Sequence, residues 1–107
     1  MLPRVILVVI PLALASGVLG ADGAANLDRQ FSGTVRPFLE RYCLDCHGKE
    51  KPEAELDLSP FTSVGAVIGG FSYWELVQER LEEGDMPPEK SKQHPKTAQR
   101  EEVLAWL

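Results

Sequence analysis

Cys43-Leu44-Asp45-Cys46-His47 is the stretch that decides how this chain folds and what it holds. Two thiols three positions apart, beside a helical segment, reach the two vinyl groups of one haem. The adjacent His47 then falls under the iron and offers an imidazole nitrogen. This is the pattern of c-type haem attachment, one group per chain. Other chemistries use close cysteines too. A thioredoxin-like redox pair needs strands alternating with helices, which the flanking sequence lacks. A structural zinc site needs four ligands, and outside the run the one other Cys or His is His94. A disulfide within the run would close too short a loop to gain much entropy.

Working outward, Phe31, Val35, Phe38, Leu39 and Tyr42 recur every three to four residues and predict a helix running into Cys43. Pro37 interrupts that pattern because it cannot donate to the Gly33 carbonyl. The spacing therefore predicts either a kink or a helix that starts near Arg36, with Pro37 in its first turn. Downstream, Gly48–Ser63 carries two prolines and reads as a loop with Leu56 and Leu58 turned inward, or else as a short edge strand. Gly65–Gly70 reads as a small apolar connector. Ser72 and Glu75 predict a capping box, flanked by Phe71 and Leu76 as a hydrophobic staple. Trp74, Val77 and Leu81 then share a face, and Gly84 is placed to end the helix. Asp85-Met86-Pro87-Pro88 is a stiff loop, and Thr97–Leu107 predicts a final helix burying Val103, Trp106 and Leu107.

The second axial position has few candidates. Of Met1, Met86, His47 and His94, the first lies in the leader and His47 is already used. Met86 sits between a capped helix and two prolines and is the favoured iron ligand. His94 is the reserve, and an open sixth position is the third alternative. Two strong ligands would confine the iron to gaining and losing an electron, whereas an open site would admit gases or peroxide. Tyr73, Trp74 and Arg80 are candidates to pair with the haem carboxylates. The acidic stretches Glu50–Asp57 and Glu79–Asp85 would steer a basic redox partner, or simply form a solvated surface.

The totals bound the rest. A chain of 107 residues, 44% apolar and 25% charged, has room for one small domain, and its net charge of −5 excludes nucleic acid as a partner. Met1–Gly20 reads as an export signal: Arg4, the apolar run Val5–Leu14, then small residues before cleavage at Gly20. The charge-free run Val5–Ala21 lies at the lower edge of spanning length, so an uncleaved form would associate with a membrane. The expected layout is a signal over residues 1–20, a linker over 21–30 and a domain over 31–107. The domain would then sit outside the cytoplasmic membrane, as in a periplasm.

Phe38–Gly48, then Leu56-Asp57-Leu58, then Trp74, Arg80–Pro88 and finally Ala105-Trp106-Leu107 closely resemble the planctomycete-type cytochrome c domain, over roughly Phe31–Leu107. The resemblance implies an all-α, class I-like fold of about three helices around one haem c. Cys43 and Cys46 would form the thioethers, His47 would be the proximal ligand and Met86 the distal one. Such domains often open larger exported proteins, and the last helix here looks cut short. Three functions follow as expectations: electron transfer to and from redox partner proteins, a gas sensor or peroxidase-like haem enzyme, or a haem-stabilised binding module.

Overall fold

The computed structural model describes residues 2–3, 5–12 and 20–107. Of the expected signal, Met1, Arg4 and residues 13–19 lie outside the described residues. Residues 5–10 and 12 have no regular secondary structure and expose their apolar side chains. Among the described residues, no helix is long and apolar enough to cross a membrane.

The fold is all-α, with no strand among the described residues. The α-helical segments are α1 (Gly20–Gln30), α2 (Arg36–Tyr42), α3 (Val64–Gly69), α4 (Phe71–Glu83) and α5 (Thr97–Trp106). The segment expected as a linker, 21–30, is thus helical. A π turn over Phe31–Val35 joins α1 directly to α2. In that turn Arg36 N–H donates to the Phe31 carbonyl, five residues back, and Pro37 follows in the first turn of α2. The widened turn lets a continuous rod absorb a proline that has no N–H to give.

Phe31, Val35 and Leu39 are almost fully buried, and Phe38 nearly so, which accounts for the three-to-four spacing. Burying each such side chain contributes about 1.5–3 kcal/mol. They divide between two apolar clusters. Phe31, Val35 and Leu39 pack with Leu58, Phe61, Val67 and Trp74, whereas Phe38 packs with Leu81 and Val103. Cys43, Val77 and Leu107 border both clusters. At the far end, Trp106 stacks on Phe31 at 5.4 Å and donates its indole N–H to the Leu27 carbonyl at 3.2 Å. That contact ties α5 to the junction of α1 and the π turn.

Two expectations about the middle of the chain are corrected. The expected connector Gly65–Gly70 is mostly helix α3, started by the Ser63 hydroxyl accepting from the Ala66 N–H at 3.1 Å. The expected Ser72/Glu75 capping box does not form. Gly70 closes α3 by donating to Ala66 and Val67, and its own carbonyl starts α4 two residues earlier than a Ser72 cap would. Ser72 therefore lies inside the helix, and Phe71 and Leu76 are exposed at 62% and 40% rather than stapled. Gly70 is also the only residue type that fits there. A Cβ on it would lie 2.5 Å from the Phe61 ring, whose edge meets Trp74 at 5.4 Å. The other end of α4 follows expectation: Gly84 adopts φ 76 and donates to Arg80 and Leu81.

Candidate haem site

The attachment run forms a tight turn at the end of α2. Cys43 and Leu44 N–H both donate to the Leu39 carbonyl at 2.9 Å, and His47 N–H donates to the Cys43 carbonyl at 2.8 Å. Gly48 completes the turn. A Cβ there would stand 2.5 Å from the Leu44 carbonyl oxygen, so the backbone passes too close for any side chain.

The loop after it returns to the histidine. Glu53 N–H donates to the Cys46 carbonyl at 2.7 Å, and Leu58 N–H donates to the His47 carbonyl at 2.8 Å. His47 Nδ1 lies 3.1 Å from the Leu56 carbonyl oxygen. A carbonyl accepts only, so Nδ1 carries the proton and donates; the lone pair is then on Nε2. The loop holds Lys51, Ala54 and Glu55 at positive φ, a conformation costing about 1–2 kcal/mol per non-glycine residue. Closure on His47, together with buried Leu58, offsets that strain.

These residues open onto a cavity of about 520 Å³, within the range of small-molecule and cofactor pockets. Cys43, Cys46 and His47 line one side, Leu56 and Leu58 the loop side, Leu76, Val77 and Leu81 the α4 side. Met86, Pro87 and Pro88 line it from the loop after Gly84. Charged groups on the wall are few: Glu53, Arg80 and Lys90. Burial, and next to it the neighbouring Cys46, push the Cys43 thiol up from 9.0 to about 12. A thiol held protonated among apolar groups is unlike the low-pKa pair of a disulfide oxidoreductase. Among the described residues, no three His, Cys, Asp or Glu side chains are grouped to hold a metal ion.

Cys43, Cys46, His47 and Met86 thus meet at one cavity. His94 does not line it; exposed, it has Nε2 2.9 Å from the Ser91 carbonyl. Of the carboxylate-pairing candidates, Arg80 is on the wall, Tyr73 is exposed and Trp74 is buried against Phe61. The Leu56 carbonyl, which sets the imidazole tautomer, has no side-chain signature and was not among the expected site residues. Lys90 was also missed, lying past the prolines in a stretch that reads simply as polar.

The residues present fit a covalently bound haem: two thiols at attachment spacing, an imidazole with a free Nε2, and a largely apolar wall of suitable size. A model of the family described as planctomycete cytochrome C matches residues 43–90. No curated protein and no solved structure matches the chain. The match runs from the first cysteine through the methionine loop to Lys90, a narrower span than the resemblance drawn from Phe31 to Leu107. Cys43 and Cys46 fit the CxxCH motif of c-type haem attachment, and over residues 43–90 the chain is similar to the planctomycete cytochrome C family.

Proposed function

We propose that the protein is an exported electron carrier with one haem c, held through Cys43 and Cys46 and ligated by His47 and Met86. The observation that carries this is the pairing of His47 Nδ1 with the Leu56 carbonyl, which leaves Nε2 as the metal-binding nitrogen, in a cavity that Met86 also lines. When bound, an iron between a histidine and a methionine exchanges single electrons at a raised potential and offers no position to a substrate. His47 orients the proximal nitrogen through its ring bond and its two backbone bonds. Leu56, Leu58, Val77 and Leu81 exclude water from the cavity and lower the local dielectric. Thioether attachment is chemistry of exported proteins, which agrees with the leader read over Met1–Gly20. Redox proteins with a basic docking face are the partners that suit a net charge of −5.

One observation favours a second function. Met86 is 36% exposed, so a displaceable sulfur would open the sixth position to gases or peroxide. Absorption spectra of protein matured with a c-type system, wild type and Met86→Ala, decide between them. The electron carrier retains haem through acid–acetone extraction, shows a sulfur–iron charge-transfer band lost in the variant, and ignores carbon monoxide. Haem retained with no effect of the mutation would refute Met86 ligation. Absence of covalent haem would refute the whole proposal.

A further inference from the structure

The cavity wall is apolar except at a few places, and two of those are cations. Arg80 reaches it from α4, one turn beyond Leu76 and Val77, which line the same side. Lys90 reaches it from the loop after the prolines. Haem carries two carboxylate side chains, and a carboxylate at an otherwise apolar wall needs a cation or hydrogen-bond donors. Arg80 is the better organised of the two. Its Nη1 donates to Asp85 Oδ2 at 2.9 Å and lies 3.7 Å from Glu83 Oε2. Those contacts use one corner of the guanidinium. Nε and Nη2 donate to nothing else among the described residues, and a planar fork held at one corner is preorganised to receive a carboxylate. Asp85 is also the residue before Met86, so the ion pair joins the last turn of α4 to the methionine loop.

Resting on the haem-site reading above, we propose that Arg80, oriented by Asp85, is a positioning residue that pairs with one carboxylate of the bound macrocycle and raises the reduction potential of the site. A paired carboxylate presents less negative charge to the iron, and the added cation favours the state that has gained an electron. Lys90, a flexible point charge with no ion-pair partner among the described residues, contributes less.

The test uses matured holoprotein: wild type, Arg80→Gln, Arg80→Lys and Lys90→Gln, titrated against redox mediators at fixed neutral pH. At a fixed poise, Arg80→Gln is expected to lower the ratio of reduced to oxidised protein by roughly three- to tenfold. Arg80→Lys should recover about half of that change on the same logarithmic scale, and Lys90→Gln should change the ratio less than Arg80→Gln does. An unchanged ratio in Arg80→Gln, with haem covalently retained, overturns the assignment while leaving the haem site intact. An equal loss in Lys90→Gln overturns it as well, because charge alone would then suffice. Should Arg80→Gln fail to mature, reduced-minus-oxidised infrared spectra of the wild type decide. A band shifted by guanidino-15N arginine supports the pairing, and the lack of one refutes it. Loss of covalent haem from the wild type itself would instead remove the reading on which the pairing depends.

Discussion

Two glycines flanking the attachment run should respond in opposite directions to the same change, Gly→Ala. At Gly48 a Cβ would lie 2.5 Å from the Leu44 carbonyl oxygen and 3.6 Å from its carbon. Both are backbone atoms of the turn that carries Cys43 and Cys46, so neither can swing aside as a side-chain tip would. Opening the turn to ordinary contact disturbs the His47 N–H bond to Cys43, 2.8 Å long, and the Leu58 bond to the His47 carbonyl. Overpacking of this kind costs about 1–3 kcal/mol. Against it stands the loss of unfolded-state freedom, which favours alanine by about 0.4–1 kcal/mol where the backbone is compatible. The clash wins at Gly48. At Gly33, in the π turn, nothing lies within 4 Å of the added carbon, so the favourable term acts alone. Thermal unfolding of matured protein, followed by far-ultraviolet dichroism, reads both. For a domain of this size about 1 kcal/mol moves Tm by about 4–8 °C. Gly48→Ala should melt lower by about that much, and Gly33→Ala should melt at the wild-type temperature or above. A Gly48→Ala protein as stable as wild type would refute the close approach, and with it the tight turn from which His47 is presented.

Arg36 offers a contrast between a part-buried and an exposed use of one guanidinium. It donates to the Phe61 and Ser59 carbonyls at 3.1 and 3.4 Å, and to Glu40 at 3.1 Å. Arg36→Met should cost about 1–3 kcal/mol in chemical denaturation, since it strands two carbonyls. Glu40→Gln, which removes only the surface pair, should cost under about 0.5 kcal/mol; equal costs would refute the division. Asp57 supplies a pH signature. Ser59 holds its pKa below the ordinary 3.8, through its hydroxyl first and then through its N–H, which the carboxylate accepts at 2.9 Å. A depressed folded-state pKa contributes stability that is fully present above the unfolded value and lost as pH falls through the folded one. Asp57→Asn should therefore flatten the acid limb of a Tm-versus-pH curve, and an unchanged limb would argue against that bond.

The CxxCH run at Cys43–His47, which opens the stretch similar to planctomycete cytochrome C, was legible from its spacing alone. So was the Trp74, Val77 and Leu81 face, ended by Gly84. The loop between Gly48 and Ser63 was legible only in outline: the inward placing of Leu56 and Leu58 followed from alternation, with Leu58 buried and Leu56 half-buried. Its return to His47 did not, since backbone carbonyls leave no trace in side-chain pattern. The errors have local causes. Val64–Gly69 has two β-branched residues besides valine's own start and two glycines, a composition that disguises a short helix held by its Ser63 cap and by Val67 in the core. The Ser72/Glu75 pair satisfies the capping pattern, but α3 ends at Gly70 and supplies the first carbonyl of α4 before Ser72 is reached. Around Pro37 the choice between kink and late start had no local answer. The chain takes a π turn, and the buried pair Phe31 and Val35 is what keeps that turn packed.

The two faces of the cavity are built to different standards. His47 is held by its N–H on Cys43, its carbonyl under Leu58 N–H and its ring on the Leu56 carbonyl, and Gly48 beside it leaves no slack. Rotating that imidazole breaks its bond to the Leu56 carbonyl, one of the contacts on which the loop closes. Met86 is held by less: a glycine cap at Gly84, a half-exposed Arg80–Asp85 pair and buried Pro87 after it, while its own side chain stays 36% exposed. In the proposed ligation, a change on the histidine side alters stability and ligation together, because the same bonds serve both. On the methionine side, ligation and potential can change while the core clusters around Leu39 and Leu81 stay packed. That asymmetry makes the methionine loop the place where this small domain can adjust its redox behaviour without endangering its fold.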